Sequence, residues 1–141
     1  MLTGNIVTGE GTDDFLTAQA RLVDTFCAAW VGKNARRVAL GRVILPTDSA
    51  DAATRQRYRD FAASRHARTL APQGEKRTLF APDIVGSKDE IVAALLADPI
   101  LPRATEFRLE LPYEFPRDLY EQILTDFLPI AAEVARHSLA A

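Results

Sequence analysis

The 141-residue chain has one cysteine, one tryptophan, one methionine and two histidines, and it contains no long apolar run. A single cysteine, Cys27, excludes an internal disulfide. It sits in FCAAW within a helical pattern, away from any cationic or helix-start setting that would activate a thiol, and reads as a small packing residue. His66 and His137 lie far apart with no third histidine and no cysteine pair, so the spacing gives no metal site. No window reaches the roughly 18 uncharged apolar residues of a transmembrane span. The opening MLTGNIVTGEG has neither a basic region nor a long apolar stretch, which argues against a signal peptide and for a cytoplasmic protein. Charge of one sign is missing too: 17 basic against 19 acidic side chains leave a formal −2, giving no electrostatic case for nucleic acid or a membrane surface.

Present instead is an ordinary globular balance, 48% apolar and 26% charged. The length suits a single domain, 1–141, that buries roughly two-thirds of its unfolded surface. Leu2 to Thr8 reads as one short strand beside Gly9 and Gly11. A helix follows from Asp13, with Phe15, Gln19, Leu22, Val23, Phe26 and Trp30 on one face and Gly32 near its stop. In RRVALGRVILP, Val38, Leu40 and Ile44 point one way and Ala39, Val43 and Leu45 the other, the mark of an interior strand covered on both faces. TDSADA offers helix caps, and Tyr58, Phe61, Ala62 and Arg65 continue a helical face. From about 71 to 86 no clean period survives Pro72, Gly74 and Pro82, and the segment reads as a loop-rich connection.

Ser87 and Glu90 form an S-x-x-E capping box opening a helix through Val92, Leu95 and Leu96. Exposed amides after Gly86 are the weaker alternative, an anion site. EFRLELP alternates as a strand, with Phe107, Leu109 and Leu111 on one face and Glu106, Arg108 and Glu110 on the other. A last helix opens near Pro116 and carries Ile123, Leu124, Phe127, Leu128 and Val134, with Pro129 expected to bend or break it. The order β–α–β–α–loop–α–β–α predicts an α/β fold: a small, mostly parallel sheet with covering helices. Three strands are too few for a closed eight-stranded barrel.

Candidate chemical residues are few. Arg42 is a charge on the apolar face of a strand and needs an ion-pair partner or an anion. Glu110 sits near a strand's C-terminal end, and Tyr113 just beyond it either stacks on a ring or covers the core. The Glu106, Arg108 and Glu110 row is either solvated or turned toward a lumen. His66 reads as an exposed helix residue or a base, and His137 as a helix C-terminal residue. No second acid–base group is tied to any of these by spacing, so catalytic and cofactor-binding residues stay unassigned.

The segments VALGRVILPTDSADAATRQRY, DIVGSKDEIVAALL and EFRLELPYEFPRDLYEQILTDFLPIAAEV, in that order, resemble the C-terminal part of bacterial luciferase-like monooxygenases. The features that correspond are Thr47 to Ala53, Val85 to Val92, Glu106 to Pro112 and Phe127 to Val134, and the likeness runs over roughly residues 12 to 137. The resemblance implies descent from a (β/α)8 barrel that uses FMN or the deazaflavin F420 on a small organic substrate. The glycine-rich phosphate loop of that family has no counterpart here. The chain therefore resembles the last part of such a barrel rather than a complete one. Open rims would need covering, which implies a homodimer or a partner subunit supplying the missing barrel strands. The other reading is a non-catalytic domain that self-associates, through its sheet edge or the Tyr120–Ile123–Phe127 face.

Overall fold

A computed structural model of the chain describes residues 1–139. The elements run β1 (Leu2–Thr3), β2 (Ile6–Thr8), α1 (Phe15–Ala29), β3 (Ala39–Pro46), α2 (Ala52–His66), β4 (Thr78–Phe80), β5 (Ile84–Gly86), α3 (Lys88–Leu96), β6 (Glu106–Glu110) and α4 (Arg117–Leu139). Strand β3 is the hub. It pairs in parallel with β1 (Leu2 opposite Ala39), with β6 (Ala39 opposite Glu106 through Val43 opposite Glu110) and with β5 (Ile44 opposite Ile84). Strands β2 and β4 form a separate antiparallel pair, Val7 opposite Leu79. The result is an α/β fold without barrel closure. Among the described residues, no helix is long and apolar enough to cross a membrane.

Side-chain caps fix where α1, α2 and α3 start. Asp14 caps α1 and Asp51 caps α2, each accepting an N–H at 2.7 Å, from Thr17 and Thr54. Those hydrogen bonds hold both carboxyls below the usual aspartate range. The Ser87–Glu90 box is formed in both directions, with Ser87 N–H donating to Glu90 at 2.8 Å. Its role is therefore to start α3.

The main core packs Val38, Leu40 and Ile44 of β3 against Val23 of α1, Ile91 and Leu95 of α3, and Ile130 and Val134 of α4. A second cluster joins Leu45 to Tyr58, Leu119 and Ile123. Burial, with the carboxylates of Asp126 and Asp118 nearby, pushes the Tyr58 phenol up to about 12, and its hydroxyl donates to Gln122.

Arg42 is the buried charge of the main core, only 3% exposed. Its Nε and Nη2 donate to Asp98 Oδ2 at 2.9 and 2.7 Å, and Nη2 also donates to Gln19 Oε1 at 2.6 Å. Nη1 donates to the Gly41 carbonyl at 2.9 Å. The ion-pair account of this residue holds. Asp98 Oδ1 accepts from the Ile100 N–H, and Gln19 Nε2 donates to Thr3 Oγ1 and the Gly4 carbonyl, so the network closes.

Three expectations need correction. The Leu2–Thr8 run is two strands, because the chain leaves the parallel sheet at Gly4 and Asn5 and pairs again with β4. The supposed connection at 71–86 contains β4 and β5, three residues each, too short to show a period; among the described residues the strands number six, not three. Of the two effects expected of Pro129, a break does not occur: helix α4 continues through it, with Ile123 and Ile130 fully buried on either side. On the Tyr120–Ile123–Phe127 face, Ile123 is buried while Tyr120 and Phe127 are half-buried, and the exposed large apolar residues of α4 are Leu124 and Leu128.

Removing Asp98 should strand a buried guanidinium. We expect Asp98→Ala to cost about 3–5 kcal/mol in urea denaturation. The double variant Arg42→Met, Asp98→Leu should recover most of that loss.

Candidate functional site

Register assigns the two faces of the sheet. Leu2, Ala39, Gly41 and Val43 share a side with Glu106, Arg108 and Glu110, while Leu40 and Arg42 share the other with Phe107 and Leu109. The second cluster covers the first of these sides only at its C-terminal end. Farther down, Leu2 and Arg108 are exposed and Glu110 is half-buried. The expectation that β3 is covered along both faces holds: only Ala39 at its start is part-exposed, and the open positions on this side belong to the flanking strands.

A cavity of about 620 Å³ occupies this open side. Its walls come from Asn5 and Ile6 after β1, Val43 of β3, Arg65 and Arg68 at the end of α2, and the stretch from Arg108 to Tyr113. Its size falls within the range of small-molecule sites. Glu110 lies across two glycines: a Cβ on Gly4 or Gly41 would stand 2.1 Å from its Oε1. Gly41 in a central strand, otherwise an unfavourable choice, makes room for this carboxylate. Asn5 is 3% exposed, its carbonyl accepts from Ala81 N–H, and its side-chain amide has no partner at either atom. Each such unmet group costs about 1–3 kcal/mol.

The cations differ in how they are held. Arg65 makes a two-pronged ion pair with Asp83, at 2.7 and 3.1 Å, and stacks over Phe61. Arg68 stacks over Phe80, with its Nε buried and unpartnered. Burial, helped by the neighbouring Arg65 cation, lowers the pKa of Arg68. Among the described residues, Arg68, Arg108 and Glu110 have no ion-pair partner. Tyr113 stands exposed at the rim, on a turn where Glu114 adopts φ 70°. Tyr120 ties that turn down: its hydroxyl donates to the Pro112 carbonyl at 2.7 Å and accepts from the Phe115 N–H at 3.1 Å.

Of the residues singled out in the sequence, the structure brings together Glu110, Arg108 and Tyr113. Arg42 lies on the opposite face, and Cys27 packs against the main core. His66 lines a separate cavity of about 180 Å³ beside Arg65 and Asp83. His137 is exposed on α4, its Nδ1 3.0 Å from the Glu133 carbonyl. Among the described residues, no group of three or more His, Cys, Asp and Glu side chains is placed to hold a metal ion. Sequence reasoning passed over Asn5 and Arg68, although Gly4–Asn5 interrupting the first apolar run was a usable signal.

In comparisons with protein-family models, characterised proteins and solved structures, no family, sequence or fold matches this chain.

Adding a methyl at Gly41 should drive the Glu110 carboxylate off the sheet. Gly41→Ala is expected to cost about 1–3 kcal/mol in thermal or urea denaturation. Combining it with Glu110→Ala should remove most of the penalty, because the colliding atoms are gone.

Proposed function

We propose that this chain is a luciferase-like monooxygenase family protein, acting as part of a flavin-dependent oxidoreductase. Its open sheet side would form one wall of a site for FMN or F420 and a small organic substrate. The observation that carries the reading is the 620 Å³ cavity beside a parallel sheet, with Glu110 at the C-terminal end of β6 in its lining, where barrel sites gather. The apolar rim of Leu2, Ile6, Leu111 and Tyr113 suits the flat ring of a flavin. The phosphate end is matched less well. Arg65 is already neutralised by Asp83, and the free groups, Arg68 and Arg108 against Glu110, sum to one positive charge. A second polypeptide, another copy or a subunit with further barrel strands, would complete the site. Bound flavin would supply the redox chemistry, while this chain orients the substrate and excludes water.

One feature favours a second reading, a non-catalytic domain that associates through its sheet edge. Strand β6 has one strand partner, β3, and an apolar groove of about 530 Å³ runs between β6 and α4, lined by Leu101, Phe107, Phe127 and Val134. Assembly along that groove would cover it whether or not flavin binds.

Fluorescence titration with FMN and F420, run alongside sedimentation velocity, separates the two. The first reading predicts saturable quenching of at least one flavin by the assembled protein, weakened about tenfold by Ile6→Arg at the exposed rim. Concentration-dependent assembly with no quenching of either flavin would overturn it in favour of the second.

A further inference from the structure

The open cavity carries its own indication of what it binds. Two guanidinium groups, Arg68 and Arg108, and one carboxylate, Glu110, line it without ion-pair partners among the described residues. Their sum is one positive charge, which matches a monoanion better than a dianion or a cation. Arg68 is fixed on the ring of Phe80, its guanidinium carbon 4.4 Å from the centroid, so little freedom remains for it to lose on binding. At the same cavity, Asn5 is almost wholly buried and leaves both a donor and an acceptor unmet. Elsewhere in the fold the comparable amide, Gln19, is satisfied at both ends, by Arg42 at its oxygen and by Thr3 and Gly4 at its nitrogen. Asn5 is therefore an exception to the way this protein handles buried amides, although both unmet atoms are sealed from the cavity by their own burial. The remaining lining, Leu2, Ile6, Leu111 and Tyr113, is apolar or aromatic.

We propose that this cavity binds a small organic monocarboxylate with an apolar or aromatic body. Its carboxylate is held by Arg68 and Arg108, and its body lies on Ile6 and Tyr113. Glu110 repels a second negative charge and so selects against dianions. The inference rests on taking this side of the sheet as the binding site, but it is independent of flavin.

The test is calorimetric titration of the full chain at low salt with four probes: benzoate, its neutral analogue benzamide, the cation benzylamine, and inorganic phosphate. Benzoate should bind saturably and about tenfold or more tightly than the other three, with affinity falling as salt rises. Arg108→Met, at an exposed position that does not threaten folding, should weaken benzoate about tenfold. Arg68→Met should do the same, and Arg68→Lys should recover part of the loss. Glu110→Gln should narrow the gap between phosphate and benzoate. Benzoate binding no tighter than benzamide, binding unchanged in Arg108→Met, or phosphate binding more tightly than benzoate would each overturn the proposal. Benzoate binding without flavin quenching would sink the flavin reading alone. Flavin quenching with benzoate no better than benzamide would sink this inference alone.

Discussion

A guanidinium group buried in the middle of the central strand is the constraint around which the fold is arranged. Arg42 is taken out of water, where an unpaired charge would be prohibitively costly, and three other segments converge with its own strand to satisfy it. Asp98 comes from the turn after α3, Gln19 from α1, and carbonyls from Gly41 and, at 3.5 Å, Gly4. Gln19 then reaches the first strand through Thr3. None of these groups can shift alone without orphaning another, so the network sets the register of β1, β3 and the helices on that side. Such a pair is weak evidence for net stability, since an apolar replacement of both partners can do as well. What it supplies is a single arrangement.

The opposite side of the same strand follows different rules. There β3 offers Ala39 and Gly41 and receives the Glu110 side chain across the glycine. Tyr58, Leu119 and Ile123 cover its C-terminal end, and Val43, itself buried, forms part of the cavity floor. One strand thus separates a closed hydrogen-bond network from a polar cavity with unmet donors. A side chain displaced on the closed side would carry the strand, and with it the cavity floor, out of place. This division puts the buried charge and the charges that have no ion-pair partner among the described residues on opposite sides of the strand.

Much of the architecture was legible in the residues. The alternation in VALGRVIL identified β3, EFRLE identified β6, and Ser87 with Glu90 marked the start of α3, because period and capping are local properties. Arg42 announced its own need for a partner, although nothing local named Asp98, 56 positions away. Strands β4 and β5 escaped because three residues cannot display a period of two convincingly, and their pairing is decided by distant segments. The inward turn of Ile123 was hidden for the same reason: periodicity reveals a face but not what lies against it. Glu110 and Tyr113 were recognised at a strand end. Asn5 and Arg68 were not, since a missing hydrogen-bond partner is a property of the folded neighbourhood alone.

Native-state hydrogen exchange, followed residue by residue over a range of low denaturant concentrations, tests the central role of Arg42 most directly. If its network locks these segments together, the amides of Gln19 in α1 and of Leu40 to Ile44 in β3 should merge into one opening reaction at the free energy of global unfolding. Exchange of α1 through a separate, low-energy opening while β3 remains protected would show that the network does not hold the fold together.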